Sequence, residues 1–482
     1  MKQSASNKHI SPSLALEERL THILEHLGIE HAHIAGMMLS DWGGFAAKYP
    51  DRISSLTIIP WGPIDPTSLH SVTARLLAVI GDQAADFEEK QKLFNELGGI
   101  KPAILKGHAG LPWNDVILDY KDEIGSAMLS FLKRMDARQG TETLSLSDTE
   151  GEVAGITYKI QGSGPPLILL PLSLAPSQWQ PLLSKLSEQY CTITLGGPEL
   201  GFIPVLEARG RSVGYQRMLR HMMDEMQPQA DESILEVGCG TGAIDRWLAR
   251  HTNGANRIVG VDINDYLLNV AATLAQMESL NTAIEFRKGN AEKLPFSDDE
   301  FDIIISSTVM EEVDADKMLA EMIRVTKPGG RVGVIVRGTD MPWVYNLPLG
   351  AELKAKIETP VPTDEGKGCA SVSLYRRFQQ SPLTNIKMMP QQVPFDDPDG
   401  GTETFIENRI LLSLDPEEVN EWQSAKAKAV SEGTFFFTWP HHCAVGTKPT
   451  YHRLIVTFKR SLINYTERAK QRKFLPEKSK KK

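Results

Sequence analysis

The segment Ser233 to Ala243 reads SILEVGCGTGA, an acid followed by three glycines at alternate positions. Read along the chain, an apolar strand delivers Glu236, and Gly238, Gly240 and Gly242 turn the backbone into a helix starting near Ala243. Glycine suits such a turn because a Cβ would keep a ligand from the backbone and would penalise positive φ. The helix start beyond it offers unpaired N–H groups. Alone, the turn is a weak signal; a dinucleotide site places its third glycine one residue later. The order of the elements beyond the turn narrows the choice. Asp262 ends the next apolar run, where a carboxylate accepts both hydroxyls of a ribose. Asn290 and Ala291 come after the third run, where an amide side chain and a backbone N–H read an adenine edge. Glu292-Lys-Leu-Pro-Phe296 then leads through Asp298 and Glu300 to a fourth run at Phe301. Arg324-Val-Thr-Lys-Pro-Gly-Gly330 turns into a fifth.

The elements that must position these residues alternate regularly from about Val205, as in a parallel, doubly wound α/β sheet. Strands are expected at 233–237, 257–262, 283–289, 301–307, 331–336, 385–389 and 434–439. Helices are expected at 205–226, 242–251, 265–279 and 314–326. Two insertions, 337–370 and 390–432, begin where strands end. Ligands bind outside the carboxyl ends of parallel strands, so both insertions, with helix 205–226, are expected to roof the pocket. Trp343, Tyr345, Phe395 and Trp422, with Tyr375 nearby, would enclose an apolar molecule there or form a satellite core.

Residues 205–450 resemble the class I S-adenosylmethionine-dependent methyltransferases, most of all the group containing the ubiquinone/menaquinone-biosynthesis enzymes. The resemblance implies a Rossmann-like, seven-stranded sheet and S-adenosyl-L-methionine as cofactor. It implies that Glu236, Gly238, Gly240 and Gly242 wrap the methionine part and that Asp262 takes the ribose. Asn290 and Ala291 would take the adenine, and Ser307 would end the fourth strand beside the sulfonium. The family often has His at the position of Glu312; this chain reads Glu311-Glu312-Val313. Asn290 stands where Asp is common and still hydrogen-bonds adenine. The activity implied is methyl transfer to a small-molecule acceptor at O, N or C. Such catalysis is mostly in-line positioning and exclusion of water. A base, where one is needed, comes from Glu311, Glu312, Asp340, His441 or His442, none of which the sequence singles out. His441-His442-Cys443 does not read as a metal site, since strand neighbours point to opposite faces. No metal is expected, and Cys239 reads as a small packing residue.

The N-terminal part resembles a different family. His31 to Ile59 is similar to the nucleophile-elbow region of α/β-hydrolases. Leu39-Ser40-Asp41-Trp42-Gly43 falls on the elbow, with Asp41 as nucleophile, in the manner of epoxide hydrolases and haloalkane dehalogenases. Gly107-His108 falls where that fold carries its histidine, but Ala84 and Ala85 stand where its acid is expected. Residues 156–197 resemble the opening strands of the same fold, yet come after the elbow. The organisation expected is a degenerate hydrolase-like segment (1–136), a polar linker (137–152), hydrolase-like opening strands (153–204), the methyltransferase domain (205–460) and a basic tail (461–482). Within the first segment, strands are expected at 32–35, 56–59, 76–81 and 103–105.

The chain has 482 residues, a net charge of −9 and four cysteines with no CxxC pair. That charge argues against a nucleic-acid substrate, because phosphate neutralisation needs a basic surface. The strand end Ser306-Ser307-Thr308-Val309 also lacks the Asn/Asp-Pro-Pro-Tyr pattern of enzymes that methylate bases. The run RAKQRKFLPEKSKKK (468–482) reads as a solvated tail or as a nuclear-import or anionic-surface signal. No apolar run is long enough to span a bilayer, the start lacks a signal peptide's apolar core, and cysteine usage fits a reducing compartment. An intracellular, cytoplasmic protein is therefore expected; oligomeric state leaves no mark in the sequence. Two other functions compete with methyl transfer: a non-catalytic cofactor-binding or interaction protein, and a hydrolase using Asp41 and His108.

Overall fold

The computed structural model describes residues 16–450 apart from 38–44, 46–47, 61–63, 65–68, 85–86, 99, 109–115, 140–142, 145–149, 173–174, 198–199, 201, 361–365, 399–400 and 412–413. The expected elbow, Leu39 to Gly43 with Asp41, and the basic tail 461–482 lie outside the described residues.

Helix α1 (Leu16–His26) precedes β1 (Ala32–Gly36), β2 (Ile53–Ile58), β3 (Leu76–Gly81), α2 (Phe87–Glu96), β4 (Ala103–Leu105), α3 (Val116–Asp119) and α4 (Lys121–Gln139). Then come β5 (Glu150–Val153), β6 (Ile156–Gln161), β7 (Pro166–Leu169), α5 (Gln180–Ser187) and β8 (Cys191–Gly196). The two stretches that read as separate blocks make one eight-stranded sheet, ordered β4-β3-β2-β1-β7-β8-β6-β5. Every residue of β1 is buried, which fits a central parallel strand needing partners on both edges. β2 pairs with it on one side and β7 on the other, both parallel. The expected linker is partly ordered: α4 ends inside it, and Glu150 to Val153 pairs antiparallel with β6. His33 of β1 fastens α4 to this sheet. Its Nε2 donates to Asp136 Oδ1 at 2.9 Å, while Ser55 lies 2.7 Å from its Nδ1 and Tyr190 donates to Asp136 Oδ2 at 2.8 Å.

The second half runs α6 (Ile203–Arg211), α7 (Val213–Met226), β9 (Ser233–Val237), α8 (Ala243–His251), β10 (Arg257–Asp262), α9 (Asp265–Met277), β11 (Ile284–Lys288), β12 (Phe301–Ser307), α10 (Ala315–Val325) and β13 (Thr326–Arg337). It ends with β14 (Val344–Tyr345), α11 (Ala351–Glu358), α12 (Ser373–Gln380), β15 (Thr384–Met388), β16 (Gln391–Phe395), α13 (Gly401–Leu411), α14 (Pro416–Ser431) and β17 (Phe437–Thr447). The sheet order is β11-β10-β9-β12-β13-β17-β14, with β15 and β16 also pairing β17. The first five strands are parallel and β17 is antiparallel to β13. The chain winds outward from β9 through β10 to β11 and then returns to β12, so the crevice between β9 and β12 is the switch point where ligands bind. Period-two alternation splits the core. Ile303, Ile305 and Ile335 face Met218 and Met222 of α7 and Trp247 of α8, whereas Ile304, Val332 and Val336 face Met318 and Met322 of α10.

Two expectations need correction. The sheet has nine strands, not seven, because the insertions supply β14 and β16 as partners for β17. The last strand is 437–447, not 434–439; its register, from Arg337↔His441 to Arg331↔Thr447, is set by β13. The insertions' aromatic residues take the second of the two placements expected for them. Tyr345, Phe395 and Trp422 form a satellite core with Phe437, the ring centroids 5.5, 5.1 and 5.0 Å apart for Tyr345–Phe437, Phe395–Phe437 and Tyr345–Trp422. Trp343 stacks on Trp439 at 5.5 Å. Among the described residues no helix is long and apolar enough to cross a membrane.

Candidate functional site

A cavity of about 690 Å³ opens at the switch point and is lined by the glycine turn, Asp262, Asn290, Ala291 and Ser307. Every residue the sequence nominated for the cofactor borders it, except that Gly242 lies just behind the wall. Gly238, Gly240 and Gly242 all have positive φ, of 77°, 53° and 70°, a region that only glycine enters cheaply. Their reasons differ. A Cβ on Gly238 would stand 2.2 Å from Val309 Cγ2, and one on Gly242 would stand 2.8 Å from Phe286. Those two glycines let the turn pack against protein. Gly240 is the one whose nearest neighbour, Leu206 Cδ1, is 3.7 Å away, so it is the glycine that leaves space open.

The turn is held from two sides. Asp262 Oδ2 accepts Gly240 N–H at 2.8 Å, and its Oδ1 accepts Asn264 N–H at 2.9 Å. A carboxylate has about four acceptor sites, so lone pairs remain for a ligand's hydroxyls. Burial pushes the Asp262 carboxyl up, against the pull of these amides. From the other side, Thr241 donates to Glu207 Oε1 at 2.5 Å and Arg246 donates to Glu207 Oε2 at 2.5 Å. Arg246 also donates to Thr241 O at 2.7 Å. This buried clasp between α6, the turn and α8 was missed by the sequence reading, because Glu207 carries no motif and meets its partners only through the fold.

Glu236 is 2% exposed, and its Oε2 has no partner. Asp245, on the first turn of α8, is fully buried with neither oxygen paired. Burial, reinforced by Asp245, drives the Glu236 carboxyl well above the usual range, and burial raises Asp245 to about 7. Two unsatisfied buried acids are costly unless a cation joins them. Glu236, which borders the cavity with Asp245 behind it, fits the ammonium of an S-adenosylmethionine methionine part, as the ribose acceptor and open glycine backbone fit the remainder.

Asn290 Oδ1 accepts Glu292 N–H at 2.8 Å, which orients the side chain with its amide donors at the cavity. Ser307 ends β12 as expected, but its hydroxyl is engaged by Tyr215 at 2.5 Å; that partner on α7 was also missed. The five candidate bases separate clearly. His442 donates from Nε2 to Asp340 at 2.8 Å and meets Tyr375 at Nδ1, 3.0 Å away, so both are spoken for on the face away from α7. Glu311 Oε1 accepts Arg337 N–H at 2.8 Å and is buried. His441 is fully buried; its Nδ1 donates to Trp439 O at 3.0 Å, its Nε2 is unpartnered, and burial lowers it to about 3. Glu312 alone of the five borders the cavity, 3.5 Å from Arg337, and burial raises its carboxyl to about 7.

Of the expected roof, the segment 205–226 borders the cavity and the two insertions do not. Tyr215, Arg209, Gly210 and Leu206 of α6 and α7 line the cavity, together with Leu118, Ser177, Gln178 and Gln180 from the N-terminal sheet's side. Among the described residues, none between 338 and 432 borders it. Those insertions are consumed by their own aromatic core. Of the hydrolase candidates, His108 is buried and its imidazole pKa is lowered by that burial. Ala84 offers no carboxylate behind it. Among the described residues, no group of three His, Cys, Asp or Glu is placed to hold a metal ion.

Residues 235–334 match the family described as "Methyltransferase domain". The chain is 34% identical to "Methyltransferase GfsG" of Streptomyces halstedii over 26% of this chain and 45% of that protein. It is 32% identical to "Demethylmenaquinone methyltransferase" of Lactobacillus johnsonii over 28% of this chain and 54% of that protein. It is 30% identical to "Methyltransferase phqN" of Penicillium fellutanum over 41% of this chain and 62% of that protein. The chain thus spans about half the length of the curated relatives it matches. The likeness to methyltransferases thus falls on the second sheet, over residues 235–334.

Proposed function

We propose that this chain transfers the methyl group of S-adenosylmethionine to a small-molecule acceptor. The observation that carries the reading is one cavity at the switch point lined by Glu236, whose Oε2 is buried without a partner, together with Gly240, Asp262 and Asn290. When bound, the cofactor supplies a methyl already activated on a sulfonium. Glu236, with Asp245 behind it, holds the ammonium, Gly240 leaves room for the chain, Asp262 takes the ribose hydroxyls and Asn290 with Ala291 takes the adenine. Ser307 and Tyr215, locked to each other, form the wall near the transferable group. The acceptor enters beside Arg209, Glu312 and Arg337, where the cavity continues. Glu312 receives the proton when the attacking atom must lose one; an acid that titrates near 7 is suited to that transfer. Acids that line or back this cavity (Glu236, Asp245, Asp262, Asp265 and Glu312) outnumber its cations, Arg209, Lys288 and Arg337.

The N-terminal sheet is read as an α/β-hydrolase-like fold whose strand order along the chain is cyclically shifted. β7, from the segment resembling the opening strands, pairs directly with β1, the strand leading to the elbow. With alanine at the expected acid position, it is read as inactive in hydrolysis.

The test is turnover. The chain, incubated with methyl-labelled cofactor and a small-molecule extract, is expected to release S-adenosylhomocysteine and to label a small compound. Tight cofactor binding with release no faster than in the extract-free control would favour a non-catalytic binding protein instead.

A further inference from the structure

Among the described residues few large apolar side chains are left exposed, and two of them border the same cavity. Ile263, directly after Asp262, is 64% exposed, and Leu118, on α3 of the N-terminal block, is 56% exposed. Isolated exposed apolar residues are ordinary; two converging on one concave space are not, since apolar walls are what a ring-shaped ligand requires. Polar groups accompany them from the same block. Ser177 and Gln180 border the cavity, and Ser177 Oγ donates to Asn264 Oδ1 at 3.4 Å. The block is anchored at this spot. Tyr266 of α9 reaches into the N-terminal sheet, and its hydroxyl accepts Gly197 N–H at 2.6 Å. A Cβ on Gly196 would stand 2.8 Å from that oxygen, so the fit leaves no slack.

We propose that the N-terminal block supplies the second jaw of the adenosine pocket. Leu118 closes on the purine opposite Ile263, and Ser177 and Gln180 provide polar contacts along the nucleoside. This rests on the cofactor reading above and extends it. The hydrolase-like sheet is then a working part of the cofactor site, held in register by Tyr266, and cofactor affinity depends on Leu118, more than a hundred positions before the glycine turn. The jaw also explains why the insertions after β13 and β15 are free to form their own core: the pocket is already closed from the other side.

The experiment is titration of the full chain with S-adenosylhomocysteine, together with hydrogen exchange in its presence and absence. Leu118→Asp is expected to raise the dissociation constant at least tenfold, and Gln180→Ala severalfold, with Asp262→Ala as the reference loss and Val430→Asp, on exposed α14, as the unaffected control. Because Leu118 is already exposed, Leu118→Asp should leave the melting temperature of the ligand-free chain in place. In the wild-type chain, ligand should slow exchange in 116–119 and 176–180. The jaw is overturned if Leu118→Asp and Gln180→Ala bind like wild type, or if exchange in both segments is unchanged, while Asp262→Ala is weakened. A wild-type chain that binds no S-adenosylhomocysteine would instead overturn the cofactor reading, and the jaw with it.

Discussion

Cofactor binding is expected to strengthen as pH rises through neutrality, and the cause is the Glu236–Asp245 pair. Without ligand, burial holds Asp245 at about 7 and Glu236 well above its usual range. Around pH 6 the pair is therefore largely neutral. An ammonium beside Glu236 favours the ionised form of the pair, so binding at that pH expels a proton. With Asp245 at about 7 when free, about nine-tenths of it is protonated at pH 6 and about one-tenth at pH 8. Affinity should then rise about tenfold between those pH values, or ~1.4 kcal/mol. The stability of the ligand-free chain runs the other way. A carboxyl whose folded pKa is raised stabilises below its unfolded value of 3.8, and that contribution is lost as pH climbs through about 7. Calorimetry with S-adenosylhomocysteine at pH 6, 7 and 8, in buffers of different ionisation enthalpy, reads both the affinity and the proton released. Asp245→Asn keeps the shape, which matters because a Cβ on Gly260 would lie only 2.6 Å from Asp245 Oδ2, and should flatten the profile. A dissociation constant that stays within twofold in the wild-type chain, or a slope that persists in Asp245→Asn, would refute the reasoning.

Asp262→Ala removes the acceptor for two backbone amides and for the ribose, and should weaken S-adenosylhomocysteine binding by about 1.5–3 kcal/mol in a chain that circular dichroism shows to be folded. Gly240→Val should be worse, since a branched side chain meets a φ of 53° and fills the open end of the turn; equal binding by either variant would mean the site is misplaced. Glu312→Gln should lower kcat about a hundredfold with little change in cofactor affinity, and should abolish the limb of the kcat/KM profile that rises near pH 7; an unchanged profile removes Glu312 from the chemistry. Epoxide, haloalkane and ester substrates should not turn over, because alanine stands at the position after β3 where the acid of such a triad is expected; hydrolysis that vanishes in Asp41→Ala would show otherwise.

What the sequence revealed of this site is what lies close together along the chain. The glycine turn, Asp262 and the Asn290–Ala291 pair sit at strand ends set by strong apolar runs, and a parallel α/β repeat brings such ends together automatically. The register of β17 was harder to read, because residues 434–447 are apolar enough to start a strand at several places and only pairing with β13 chooses among them. The Tyr215–Ser307 lock and the Glu207–Thr241–Arg246 clasp were invisible for a related reason: each joins elements far apart in sequence through ordinary residue types. The roof was misjudged because aromatic residues after a strand read alike whether they enclose a ligand or each other. Here Phe437 of β17 supplied the partner that turned them inward. The N-terminal block was read in two pieces because β7 meets β1 only after the chain has gone round the sheet.

The central claim is that the crevice between β9 and β12 is a site for S-adenosylmethionine. Titrating the folded chain with S-adenosylmethionine and, separately, with NAD measures it most directly. One equivalent of S-adenosylmethionine should bind with micromolar affinity and raise the melting temperature as its concentration grows, while NAD binds far more weakly. Absence of both heat and melting shift with S-adenosylmethionine, or a preference for NAD, would contradict it.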